Sequence, residues 1–228
     1  PKRRELLGII PEGESVPFSI IWQVLKDKKG AFAALICGFS LVALDGYAKA
    51  SWMPEFFIRT FGWTTAQVGL NYGLSYLLFA GSGALCGGWA GDYLRRRGHI
   101  DAPFRAAAIG VLISIPFSIF GPLAGNEFLA LGLIGVATFF SAFPYPLAAA
   151  AVSQLAPNQM RAQTMAFHLL VVNLVGVGLG PTITALLTDF VFGDEAYLRY
   201  SLATVATCTL PLALLVFTLG MPSYRKSV

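Results

Sequence analysis

Asp45 and Lys49 are the oppositely charged pair that lies well inside an apolar run of this chain, four residues apart and so on one face of a helix. A charge at membrane depth costs at least ~2.5–3.5 kcal/mol on insertion scales, so such a pair faces a cavity or a partner. Two readings stand for it. One is a polar strip lining a water-filled path, with Tyr47 and Trp52 as stacking or hydrogen-bonding groups. The other is a self-neutralised pair near the outer end whose lysine snorkels to the interface. Gly38, Leu41, Trp52 and Phe56 share that face by helical spacing. His168, early in a later apolar run, offers either a proton relay together with Asp45 or a hydrogen-bonded packing group. Ser82, between Gly81 and Gly83, is a candidate nucleophile only if a base comes within ~2.6–3.2 Å, and no spacing brings His168 to it.

The elements that position these groups are set by composition. The chain has 228 residues, 56% hydrophobic and 12% charged, with a formal net charge of +4. Soluble domains carry roughly 25% charged residues, so this is a membrane composition. The basic residues sit between apolar runs rather than along one soluble face, which points to a membrane surface and excludes a nucleic-acid partner. Cys37, Cys86 and Cys208 lie in apolar stretches with neither a pairing pattern nor metal-ligand spacing, and are read as buried thiols. No metal site is expected.

Six apolar spans follow a polar, basic lead-in: 31–57, 65–90, 104–124, 127–152, 162–188 and 197–220. Each exceeds the ~20 helical residues that cross a bilayer core, so the fold class is all-α membrane protein. The organisation is a lead-in over 1–30, a six-helix body over 31–220 and a short tail over 221–228. Within the lead-in, Ile20, Ile21, Trp22, Val24 and Leu25 form a short amphipathic helix for the interface. The lead-in has no leader-peptide core, and a start at Pro1 rather than Met reads as that of a fragment. Most of the 16 Lys and Arg fall in the lead-in, the 92–103 and 153–161 loops and the tail, which places both termini in the cytoplasm.

Three stretches stand out. Gly88–Arg97 combines glycines, Asp92 and the cluster Arg95, Arg96 and Arg97 in a tight positive turn, where Asp92 can meet the N-terminal end of a neighbouring helix. Phe139, Phe140, Ser141, Phe143, Pro144, Tyr145 and Pro146 form an aromatic segment that two prolines break or kink. Broken backbone at membrane depth fits a pathway that rearranges, or a packing kink. Gly176 and Gly180, continued by Thr184, and Gly83, Gly87 and Gly91 make small-residue stripes for close helix packing.

These features resemble the C-terminal half of a major facilitator superfamily transporter, from the central linker through its last six helices. Gly88, Asp92 and Arg95–Arg97 match a degenerate copy of the superfamily loop motif, with Tyr93 where a basic residue is usual and Arg95 where a glycine is usual. Pro157–Arg161 resembles the corresponding later loop. Trp52 to Arg59, Gly69 and the 173–189 run are similar to bacterial Spinster-like transporters.

The resemblance implies alternating access by two six-helix halves rocking about a central site. It implies a cavity walled by Asp45, Tyr47, Lys49, Trp52, Phe139, Phe140, Ser141, Phe143 and Tyr145. It also implies a cytoplasmic gate of Gly88, Asp92, Arg95, Arg96, Arg97 and Arg161, and packing of Gly83, Gly87, Gly176 and Gly180 against the N-terminal six-helix half. The expected substrate is small and amphipathic, such as a lysolipid or sphingosine phosphate, moved across a bacterial inner membrane. No cofactor is expected, the proton gradient being the driving force. A proton-coupled carrier of organic anions or drugs is the alternative; an intramembrane serine protease and a non-transporting subunit are the remote ones.

Overall fold

The structure, a computed structural model, describes Gln23 and residues 26–228, so Ile20, Ile21, Trp22, Val24 and Leu25 of the expected amphipathic helix lie outside the described residues. Seven main helices carry the described residues: α1 (Lys29–Phe61), α2 (Gly73–Arg96), α3 (Ala102–Leu123), α4 (Glu127–Ser141), α5 (Pro144–Leu155), α6 (Arg161–Leu186) and α7 (Leu198–Ser227). A helical turn over Thr65–Gln67 and a π-helical turn over Val68–Tyr72 lead into α2, and a second π turn, Leu187–Phe192, extends α6. The described residues make six membrane-length helical passes, with α4 and α5 sharing the fourth. Five of the passes are long and apolar enough to cross a membrane by length and composition. The one through α2 has the length, but its glycines and polar groups dilute its hydropathy.

Local chemistry explains the stops and breaks. Gly62 ends α1 in the left-handed region, at φ 70°, while its N–H and that of Trp63 close onto the Ile58 and Phe57 carbonyls. Asn126 caps α4 by accepting from the backbone N–H groups of Phe128 and Leu129. The fourth pass breaks at Ala142 and Phe143, just before Pro144 opens α5, because proline supplies no N–H to the preceding turn. The proline pair reads in the sequence as a break, and a break is what forms.

Helices α1, α3 and α7 hold the centre. Leu35, Phe39, Phe104, Leu210 and Phe217 meet in one apolar cluster, and Phe56, Phe57, Trp63, Ile134 and Leu198 form a second toward the other end of α1. Helices α2 and α6 lie outside. The buried residues of α2 are Gly83, Gly87 and Gly91, while Leu77, Leu78, Leu85 and Trp89 are exposed. Helix α6 exposes Leu170 and Leu174 in the same manner. Those outward apolar faces fit a bilayer or a further protein half. Cys37, Cys86 and Cys208 are exposed on such faces, not buried as the sequence reading has them, because apolar neighbours here mark lipid-facing surface as readily as core.

One polar tie, absent from the sequence reading, closes the end of the bundle where the 96–102 turn meets the C-terminus. Asp101, 1% exposed, accepts from Arg105 at 2.8 Å and from Arg225 at 2.7 Å, so it joins the start of α3 to the end of α7. Burial pushes its carboxyl pKa up, but the hydrogen bonds from Arg225 and Arg105 outweigh this and hold it below the ordinary value. A folded-state pKa below the unfolded one gives stability that is present above the unfolded value, about 3.9, and lost as pH falls through the folded one. Melting of the purified protein is therefore expected to be insensitive to this group from neutral pH down to about pH 5 and to weaken below about pH 4. Asp101→Asn should remove that acid-sensitive step. An identical acid limb in the variant would show that the step arises elsewhere.

Candidate functional site

Helix α1 places Asp45 and Lys49 one turn apart, and α3 supplies their third partner. Lys49 Nζ lies 2.6 Å from Asp45 Oδ2 and donates to Ser118 Oγ at 2.8 Å. Asp45 is 1% exposed, and its Oδ1 is buried with no hydrogen-bond partner among the described residues. One carboxylate oxygen is thus neutralised and the other is left unsatisfied. A buried polar atom without a partner costs about 1–3 kcal/mol, more for a charged group, so it marks a place where a ligand or water is wanted.

The cavity beside the pair has a volume of about 40 Å³ and lies between α1, α2, α4 and α5. Asp45, Lys49, Ser141 and Tyr145 line it, together with Tyr72 and Tyr76. Ser141 Oγ is also buried without a partner among the described residues. Tyr72 is buried, whereas Tyr76 and Tyr145 are 44% and 53% exposed, so two phenols stand at the mouth and one deeper. The broken fourth pass is what brings them in. Ser141 ends α4, Tyr145 opens α5, and a Cβ on Gly46 of α1 would lie 2.8 Å from the Tyr145 hydroxyl. The Tyr145 hydroxyl occupies the space that a side chain at position 46 would take.

Sequence reasoning did not single out Tyr72 and Tyr76. The second pass reads as a glycine stripe in an apolar run, and the π turn over Val68–Tyr72 that rotates Tyr72 inward has no sequence signature. The i, i+4 spacing of the two tyrosines was the available signal.

The other candidate residues lie elsewhere. Tyr47 and Trp52 turn toward α6: Tyr47 donates to Asn173 Oδ1 at 2.6 Å, and Trp52 Nε1 donates to the Pro181 carbonyl at 3.0 Å. Phe139, Phe140 and Phe143 form a ring cluster of their own with centroids 5.0–5.5 Å apart. Phe143 is buried there, against Gly87 of α2 and Gly110 of α3. His168 is buried edge-on to Phe39, ring centroids 5.6 Å apart, and its Nδ1 has no partner among the described residues. Ser82 Oγ donates to its own helix at Leu78 O, 2.5 Å away.

Gly88, Asp92 and Arg95 come together at a second cleft, of about 240 Å³, with Ala102, Pro103 and Gln154. Asp92 is exposed and lines this cleft together with Ala102 and Pro103 of the first turn of α3. Arg96, Arg97 and Arg161 are exposed, and the Arg97 guanidinium sits 4.7 Å from the Tyr93 ring centre.

The glycine stripes need a correction. The sequence reading sets Gly83, Gly87, Gly176 and Gly180 against an opposite half, but all four face inward within this one. Gly83 lies on the Phe139 carbonyl and Gly87 on the Phe143 backbone. Gly176 lies on Tyr47 and Ala43, and Gly180 on the Leu44 carbonyl. The physical reason is that α2 and α6 have their closest backbone approaches to α4–α5 and α1, and only glycine admits them.

Residues 2–181 match the family model of the Major Facilitator Superfamily. Among curated proteins, an MFS-type efflux pump of Mycolicibacterium smegmatis is 24% identical over 210 residues, covering 91% of this chain and 48% of the pump. The uncharacterized transporter YybO of Bacillus subtilis is 25% identical over 193 residues, 82% of this chain and 42% of that protein. The chain therefore spans about half the length of the curated relatives it matches. A bacterial homologue of the human lysosomal transporter Spinster, solved inward-facing and unoccupied, superposes with a TM-score of 0.79 at 20% identity over 96% of this chain and 53% of its own. An inward-facing, occupied form of such a homologue gives a TM-score of 0.73 at 22% identity, over 87% of this chain and 50% of its own.

Proposed function

Because the chain belongs to the Major Facilitator Superfamily, we propose that it works as one half of a proton-coupled secondary transporter moving a small amphipathic substrate by alternating access. Membership of that family supports a transport role over a catalytic one. The observation that carries the mechanism is the buried Asp45–Lys49–Ser118 cluster beside a tyrosine-rimmed cavity where the fourth pass is broken.

A carboxylate with one oxygen paired and one unsatisfied can exchange a proton or a hydrogen-bond donor as the cavity opens to either side. The break at Ala142 and Phe143 lets α4 and α5 move separately, which repositions Ser141 and Tyr145 against Asp45. Asp92 and the Arg95–Arg97 cluster form the cytoplasmic latch between this half and the N-terminal one. On this reading both termini lie in the cytoplasm of a bacterial inner membrane, and the substrate is lipid-like. Export of drugs or organic anions is the second reading, favoured by the efflux pump among the relatives.

The test is flux in proteoliposomes holding the protein with both halves, driven by an imposed pH gradient. Asp45→Asn is expected to lower proton-driven flux at least about tenfold, or to flatten its dependence across roughly pH 6 to 8. Wild-type flux with a wild-type pH profile in that variant would overturn the coupling role.

A further inference from the structure

We propose that the cavity at Asp45 binds the protonated amine of a cationic amphiphile and discriminates against anionic head groups. The proposal rests on the transporter reading above and narrows its substrate class.

The floor and walls of the cavity are rich in acceptors. Asp45 lines it and holds a buried, unpartnered Oδ1; Ser141 lines it with a buried, unpartnered Oγ; the phenols of Tyr72, Tyr76 and Tyr145 complete the ring. Lys49, the one cation among the described residues that line it, is already engaged, its Nζ lying 2.6 Å from Asp45 Oδ2 and 2.8 Å from Ser118 Oγ. An incoming phosphate or carboxylate would bring more acceptors to Asp45 and would have to take Lys49 from two partners. An ammonium brings only donors. It can give one hydrogen to Asp45 Oδ1 and others to Ser141 or a phenol, and such charge-assisted hydrogen bonds are the strong ones.

Size and shape agree with this. About 40 Å³ beside Asp45 admits an ammonium group. The half-exposed rings of Tyr76 and Tyr145 offer π faces to the cation and flat apolar surface to the body behind it. Two sources share this chemistry, a long-chain lipid amine and a compact drug-like amine.

The test is equilibrium binding to the two-half protein in neutral-lipid nanodiscs at pH 7, with dodecylamine, the tricyclic amine desipramine and dodecyl phosphate as probes. At least one amine is expected to bind more tightly than dodecyl phosphate. Asp45→Asn should weaken that amine by about tenfold or more and leave dodecyl phosphate unchanged. Tyr145→Phe, which removes one hydroxyl from a half-exposed ring and leaves the core intact, should weaken it several-fold. Asp45-dependent binding of dodecylamine alone would assign a lipid amine, and of desipramine alone a drug-like one; either supports the site.

Tighter binding of dodecyl phosphate, or wild-type amine affinity in both variants, would overturn the proposal. Flux measured on the same samples separates the two readings. Asp45-dependent amine binding without flux would sink the transporter and keep the site. Flux without Asp45-dependent binding would sink the site and keep the transporter.

Discussion

Lys49→Met is expected to cost far more folded protein than Asp45→Asn, and the double variant to recover most of the loss. Lys49 is 12% exposed at its side chain and is the cation beside a carboxylate that is 1% exposed. Removing the cation leaves Asp45 buried with both oxygens unpaired, a change that costs about 3–5 kcal/mol where one partner of a buried pair is lost. Asp45→Asn removes the charge instead and keeps a group that can accept from Lys49, so its penalty is smaller. Replacing both removes charge from both sides, and such replacements are close to neutral when the volume is kept. Ser118 then loses the ammonium that donates to its Oγ, a charge-assisted hydrogen bond worth about 1.5–3 kcal/mol, so the recovery is not complete. The measurement is the midpoint of thermal unfolding in detergent, followed by size-exclusion recovery. Equal losses in the two single variants would mean that the pair is solvated, and the buried-cluster account of this site would fail.

The number and length of the passes are legible in the sequence because hydropathy and bilayer thickness leave little choice. The span read at 31–57 is the helix Lys29–Phe61, and the span read at 127–152 is α4 and α5 together. Pro144 and Pro146 announce the break between those two, since a backbone without donors cannot continue the ladder. The rotation of each helix about its axis is not legible. In lipid the outside is as apolar as the core, so periodicity carries little information about which face points inward. Helix α1 shows this most clearly: it packs on several neighbours at once, so Tyr47 and Trp52 reach α6 while Asp45 and Lys49, a few residues away, meet α3 and the cavity.

Non-local partners are hidden for a related reason. Asp101 and Arg225 are 124 residues apart, and only the packing of α3 on α7 brings them within 2.7 Å. The spacing of Asp101 and Arg105 offers half of that cluster, as an i, i+4 pair at a helix start. Lys28 shows the same limit at the lead-in. Its ammonium donates to the Leu155 carbonyl at 2.9 Å, at the end of α5, and burial lowers its pKa. A reading of charge along the chain records Lys28 as one more cytoplasmic cation, not as the cap of a distant helix.

Gly83→Ala is the substitution with the largest effect expected from a single methyl group. A Cβ at Gly83 would overlap the Phe139 carbonyl, which belongs to the backbone of α4 and cannot rotate away. At Gly87 the added atom would sit 2.5 Å from the Phe143 Cα, and at Gly180 it would sit 2.5 Å from the Leu44 carbonyl oxygen. Each forces two helices apart, and overpacking of this kind costs about 1–3 kcal/mol. Gly81 and Gly178, on the same two helices, have nothing within 4 Å of an added Cβ. Alanine there removes backbone entropy from the unfolded chain without a clash, so it should be neutral or stabilising by up to about 1 kcal/mol. The paired experiment therefore carries its own control. Gly83→Ala and Gly180→Ala should lower the unfolding midpoint and the yield of monodisperse protein, while Gly81→Ala and Gly178→Ala should not. If Gly83→Ala and Gly180→Ala instead folded like wild type and lost only flux, the stripes would be acting at a moving interface between halves, and their inward packing would not be their function. A loss of folded protein confined to the first pair would mean that these glycines hold α2 to the broken fourth pass and α6 to α1. That packing sets where Ser141 and Tyr145 stand relative to Asp45.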